Sequence, residues 1–325
     1  MQRTSRGLIR LFIVGCAVTL SGLFAAGSNA SNLIDHVTSH QDATSARIKV
    51  NKAGIALLSY MSAGRVHHIL ARGAINALAP VEGKEQVEFK LDYKGGWGFF
   101  RKADYWKTGF GPNVCGPYQG PKLSWLIYAC TMPDGSNWAV QSWQRRLSTY
   151  GVPSPPAGRV WELRLSHWNT DLAVLSINLD WVGRGRYNHL WGKYTYLGNP
   201  VYGFKATYAG LPLDSWGRTI YLSTYNSAYG PGWTHENAFL THKLTGSFCY
   251  GFYPHRTVIN GKSVMRPPGN GQRYRATVVG PGVTPDVTWE GSALGAYDPI
   301  FDAQQKAQEK IDLASDLVTG KCTIS

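Results

Sequence analysis

Short runs in which apolar and polar residues alternate, separated by glycine and proline, constrain this chain more than any other feature. In Asp171–Val182, Ala173, Leu175, Ile177, Leu179 and Trp181 fall on one side, and Ser176, Asn178 and Asp180 on the other. A period of two is that of a strand with one buried face. Arg159–Trp168 alternates likewise, with Trp161, Leu163, Leu165 and His167 against Glu162, Arg164 and Ser166. Only Asn169-Thr170 separates the two runs, so a hairpin is expected. Pro133-Asp134-Gly135-Ser136 marks a second hairpin and Gly198-Asn199-Pro200 a third, because proline presets φ and glycine accepts a positive φ. Residues 47–73 read as three strands turning at Asn51–Gly54 and Ser62–Gly64. The expected fold class is mainly β: a β-sandwich or jelly-roll-like body. Residues 31–84 are expected as a small N-terminal β unit, and residues 85–325 as the main β domain.

One segment breaks the pattern. Asp298–Gly320 reads as an amphipathic helix, with Asp298 as N-cap, Pro299 in the first turn and Gly320 at the stop. Ile300, Gln304, Ala307, Ile311, Ala314 and Val318 form its stripe. This C-terminal helix is expected to dock on the β body through that stripe.

The N-terminus carries an address. Arg3, Arg6 and Arg10 precede an apolar run, Leu11–Ala26, that is too short and glycine-broken for a membrane span. Ser28-Asn29-Ala30 follows, so a secretory signal peptide cleaved after Ala30 is expected. Acylation at Cys16 is the alternative. No later run is apolar enough to cross a bilayer, so no transmembrane anchor is expected in the mature chain. The formal net charge is +13; loss of residues 1–30, which hold three arginines and no acid, leaves +10. Such a charge favours anionic partners. Cys115, Cys130, Cys249 and Cys322 remain after cleavage. An even number in an exported chain implies disulfides, and the expected pairs are Cys115–Cys130 and Cys249–Cys322.

The chain contains 12 Trp, 18 Tyr and 11 Phe. Rings beside turns suit stacking on the CH face of sugars. Trp138 and Trp143 lie on opposite faces of one strand, so one of them is a candidate for an outward ring. Thr224–His242, TYNSAYGPGWTHENAFLTH, concentrates rings and polar groups around Gly230-Pro231-Gly232, which should break regular structure. It is expected as a long loop. Its candidate ligand-binding residues are Tyr225, Asn226, Tyr229 and Trp233, joined by Trp216 and Arg218 from the segment before it. Candidate catalytic residues are Asp214, Glu236 and His235, because glycan hydrolysis needs two carboxylates facing each other. Asp180 is a further candidate for that pair, and Glu162 a more remote one. A triad of Ser215 or Ser227 with His235 and Asp214 lacks the Gly-x-Ser-x-Gly elbow. His235 and His242 lie too far apart for one zinc, so no metal site is expected. No cofactor is expected, and the absence of a glycine-rich phosphate loop argues against a nucleotide.

These readings converge on an exported protein that binds a polysaccharide or anionic cell-envelope polymer through exposed rings and polar groups. The alternatives are a secreted glycan hydrolase or lyase using a carboxylate pair, and a structural envelope protein without a small ligand.

Overall fold

The structure, a computed structural model, describes residues 33–37, 40–77, 87–144, 147–148, 161–201, 220–239, 241, 245–259 and 261–314. The expected signal peptide, Asp214, Trp216, Arg218 and Cys322 lie outside the described residues. The chain is mainly β, built from antiparallel sheets. Sheet I runs β1 (Leu33–Val37), β9 (Trp161–Trp168), β8 (Asn137–Trp143), β7 (Leu126–Thr131) and β6 (Gly116–Pro117). Sheet II runs β2 (Arg47–Val50), β3 (Ala56–Ser62), β4 (Arg65–Gly73) and β5 (Phe89–Asp92). Sheet III comprises β10 (Val174–Val182), β11 (Tyr187–Tyr196), β12 (Asn199–Pro200) and β15 (Ser247–Gly251), the last paired with β11. Sheet IV runs β14 (Gly230–Phe239), β13 (Ile220–Ser227), β18 (Arg273–Val278) and β19 (Val287–Ser292). A separate hairpin, β16 (His255–Ile259) and β17 (Lys262–Arg266), leads towards sheet IV.

Sheets I and II pack face to face. Ile48, Leu58 and Ile69 from one meet Trp138, Val140, Leu163 and Leu165 from the other. Sheets III and IV do the same through Leu190, Tyr194 and Phe248 against Ile220, Leu222, Tyr274 and Val278. The strands on either side of residue 84, β4 and β5, share sheet II, and β1 pairs with β9. Short helices α1 (His40–Thr44), α2 (Trp97–Phe100) and α3 (Tyr105–Thr108) lie in the first half of the chain. Cys115 and Cys130 form the expected disulfide, tying the approach to β6 to the end of β7. Cys249 is also disulfide-bonded.

Two strand expectations are corrected. The hairpin between residues 159–168 and 171–182 does not form: β9 lies between β1 and β8, whereas β10 pairs with β11. Each strand matches its own alternation, but the short link at Asn169 crosses from one sandwich to the other, held by paired Asn76 and Asn169 side chains at 2.7 Å. Thr224–His242 is not a long loop either. Its described part continues β13 through a tight turn into β14. Pro231 is tolerated because β14 is an edge strand, where a missing N–H costs no ladder bond. Opposite it, Asn226 sits at φ 49°. Its Oδ1 accepts from Gly232 N at 2.7 Å, and its amide donates to Gln272 Oε1 at 2.9 Å.

Helix α4 spans Pro299–Asp312, and Asp298 caps it by accepting from Ile300 N and Phe301 N. It packs on β10 as expected, but not through the expected stripe. Ile300, Gln304, Ala307, Ile311 and Ala314 are exposed, while Asp302, Glu309 and Leu313 are buried. Polar pairing turns the helix: Asp302 accepts from Trp181 N at 3.1 Å and from Lys306 Nζ at 2.6 Å.

The segment 279–286, VGPGVTPD, links β18 to β19 and is buried at every position. Asp286 at its end meets Arg164 in a buried ion pair and accepts from Trp143 Nε1 at 2.7 Å and Gly280 N at 2.9 Å. Its own backbone N–H donates to Gln141 Oε1 at 2.8 Å, and its carbonyl accepts from Gln141 Nε2 at 2.9 Å. Glu162, another carboxylate considered from the sequence, is buried beside Arg164 at 3.7 Å.

His167 in β9 stacks on Trp138 at 3.9 Å, with Nδ1 on the carbonyl of Ala74 at 3.1 Å. Burial pushes its imidazole down to about 4. The unfolded chain takes up this proton near pH 6.5, and the folded chain only near pH 4. Stability is therefore expected to fall by about 2–3 kcal/mol from this group alone as pH drops across that window. Urea midpoints at pH 7 and 4.5 for the parent and His167→Gln check it. The variant should show the shallower loss, and equal losses would contradict the assignment.

Candidate functional site

The two faces of sheet IV differ in kind. Ile220, Leu222, Tyr274, Ala276 and Val278 point into the sandwich core. The alternate residues carry the chemistry, and strand pairing aligns them: Tyr225 opposite Trp233 and Arg273, and Ser223 opposite Arg275. Arg273 and Arg275 lie two apart in β18 and so share a face.

On this face rings and cations alternate. The Arg273 guanidinium lies 4.7 Å from the Tyr225 ring and 5.3 Å from that of Trp233. Arg275 lies 3.8 Å from Trp233 and 4.6 Å from Trp125. Attraction between a cation and the electron-rich ring face holds such a stack at about 0.5–1 kcal/mol per exposed pair. Glu290 of β19 accepts from Arg275 Nε at 2.7 Å and lies 3.9 Å from Arg273 Nη1, limiting the repulsion between the two cations. Burial lowers the pKa of Arg275, and the hydrogen bond and charge of Glu290 oppose that shift.

One end of the face is walled by sheet I and becomes a cleft of about 220 Å³. Trp125, Trp143, Trp161, Tyr221, Trp233 and Arg275 form most of its lining, with Ser223 and Thr277 also contributing. Trp143 is fixed by its bond to Asp286 and meets the Tyr221 ring edge-on at 5.3 Å. Trp125 takes φ 59°, a left-handed conformation that is costly for a bulky side chain. Its Nε1 donates to Thr288 Oγ1 at 2.8 Å across the two sandwiches. The described lining contains no carboxylate.

The expected site residues divide between this cleft and other places. Tyr225 and Trp233 belong to the aromatic face, and Asn226 is exposed at the hairpin end. His235 is buried beside Tyr221, and its backbone N–H donates to Ser148 O at 2.7 Å. Tyr229 and Glu236 form a different cluster. Glu236, which has no strand-register partner at the bulge opposite Leu222 and Ser223, is fully buried in an ion pair with Arg266. Arg266 also donates to the hydroxyls of Tyr229 and Tyr250, and the Tyr229 hydroxyl bonds the Pro267 carbonyl at 2.8 Å. This cluster ties the end of β17 to sheet IV. Of the two candidate strand tryptophans, Trp138 is core and Trp143 reaches the cleft.

Sequence reasoning did not select Trp125, Trp161, Tyr221, Arg273 or Arg275. The usable signal was in β18, where Arg273, Arg275 and Thr277 alternate with Tyr274, Ala276 and Val278. No family model matches the chain, nor does any curated protein or solved structure.

Trp233 is only half-buried, so Trp233→Ala is expected to cost about 1–2 kcal/mol from lost cation–π contacts. Trp138→Ala in the core should cost about 3–5 kcal/mol. Denaturant titration of both variants checks the difference, and equal losses would make Trp233 a core residue.

Proposed function

We propose that this chain is an exported protein that binds a polysaccharide or other anionic cell-envelope polymer in the aromatic cleft. The observation that carries the reading is the lining: four tryptophans and a tyrosine with one arginine, beside Ser223 and Thr277, and no described carboxylate. Flat rings offer stacking faces to a sugar ring. The arginine Nε is engaged by Glu290, while its terminal nitrogens have no partner among the described residues and suit a planar carboxylate or a phosphate. At about 220 Å³ the cleft is smaller than the ~300–1,000 Å³ typical for drug-sized ligands. It suits a single sugar ring or a chain end.

Export rests on the signal-peptide pattern and is supported by the Cys115–Cys130 disulfide, which belongs to an oxidising compartment. No helix of the described residues is long and apolar enough to cross a membrane. Net charge and the two cleft-face arginines favour an acidic polymer over a neutral one. The hydrolase reading finds less support: Glu236 is locked to Arg266, and Asp214 lies outside the described residues.

Calorimetric titration of residues 31–325 with acidic and neutral oligosaccharides tests the proposal. Acidic ligands are expected to bind more tightly, with affinity falling as salt rises. Trp233→Ala and Arg275→Gln are each expected to weaken binding by about tenfold, a change of about 1.4 kcal/mol. No binding of any oligosaccharide, or binding indifferent to both substitutions, would overturn the reading.

A further inference from the structure

A second cluster lies away from the cleft, where α4 covers sheet III. Asp180 of β10 and His189 of β11 are directly opposite in register. His189 Nδ1 and Asp180 Oδ1 are 2.7 Å apart. Glu309 of α4 completes the group, and one ligand atom from each residue lies within 4.8 Å of the others. His189 is 2% exposed and Asp180 0%. Asp180 Oδ2, His189 Nε2 and Glu309 Oε1 are all buried, and none has a hydrogen-bond partner among the described residues.

An unpartnered buried polar atom on each of three neighbouring residues is costly, because such an atom forfeits its hydration. The charge is harder still to accommodate. Two carboxylates and a neutral imidazole sum to −2. Protonating His189 leaves −1. Lys306, three residues before Glu309 on the helix, bonds Asp302 at 2.6 Å. A divalent cation brings the sum of the three groups to zero. It would also explain why α4 turns its acidic side inward while Ile300 and Ile311 stay exposed. Trp191 and Leu313 supply an apolar wall beside Cys249.

We infer that Asp180, His189 and Glu309 bind one divalent first-row transition-metal ion of the Zn²⁺ type, clamping α4 to sheet III. One imidazole nitrogen with two carboxylate oxygens is a donor set of borderline softness, suited to such ions. Two helix-independent ligands on paired strands form the base, and the helix supplies the third. The site therefore reports whether α4 is docked, and it is separate from the cleft on sheet IV.

Untagged protein dialysed against a chelator is titrated calorimetrically with ZnCl₂, MnCl₂ and, as a control, CaCl₂. One Zn²⁺ or Mn²⁺ ion per chain is expected, with a rise in thermal midpoint. Glu309→Gln preserves size and removes only the carboxylate charge, so it is expected to fold; it should weaken binding by at least about tenfold and lose the midpoint rise. His189→Gln should do the same, and Trp233→Ala should change neither. The inference is overturned if neither transition ion binds the parent, if only Ca²⁺ binds, or if Glu309→Gln binds as tightly as the parent. Failure to bind metal together with a higher midpoint for Glu309→Gln would identify a proton as the occupant.

Discussion

The buried Asp286 carboxylate joins the two sandwiches. A loop that lies wholly inside a protein must satisfy every backbone polar group without water. The segment 279–286 does this by composition as well as by contacts. Pro281 and Pro285 have no N–H to satisfy. The carbonyls of Val279 and Val283 accept from the Tyr194 hydroxyl at 2.7 Å and from His167 N at 2.9 Å, one partner from each sandwich. Gly280 is required by space, since a Cβ there would collide with the carbonyls of Thr284 and Pro285. Asp286 then closes the loop on Gly280 N and carries the charge that Arg164 balances. A buried pair of this kind is weak evidence for net stability, because desolvation offsets much of the attraction. Its value here is geometric: breaking it would strand one charge, at about 3–5 kcal/mol.

The cleft depends on the same interaction. Trp143 is held in place by the hydrogen bond that its indole N–H donates to Asp286, and Trp125 is held from the other side by Thr288. Rings fixed in this way present a formed surface and would lose little conformational freedom on binding the proposed ligand. The left-handed backbone at Trp125 fits this picture, since strain concentrates where a side chain must be aimed. Sheet IV thus keeps one face for the core and one for alternating rings and cations, separated only by strand alternation.

How much of this was legible in the sequence varies by element. Alternation identified the strands of residues 47–73 and the β7–β8 turn, because those contacts are local and the turn residues declare them. It misassigned the partner of β10, since a two-residue link reads alike whether the chain folds back or crosses to another sheet. Gly230-Pro231-Gly232 looked like a breaker because its position on a sheet edge is a property of topology. The helix was found with its cap, but its docking face was reversed. Apolar periodicity assumes that burial is hydrophobic, and here Asp302 and Glu309 are buried instead. At the site, Tyr225 and Trp233 were chosen for their rings. Arg273, Arg275 and Trp125 were missed because they converge only when β13, β18 and the start of β7 are assembled. Glu236 shows the converse: a carboxylate beside rings in sequence that the fold buries against Arg266.

The central claim is that the polar face of sheet IV, held in place by Asp286, is where a ligand sits. The indole N–H resonances of ¹⁵N-labelled protein test it most directly, because each tryptophan reports its own surroundings. On titration with an acidic oligosaccharide, the signals of Trp125, Trp143, Trp161 and Trp233 should move together, while those of Trp138, Trp168 and Trp191 stay fixed. Movement confined to Trp97 of α2 and Trp106 of α3, or no movement at ligand concentrations that saturate binding, would contradict it.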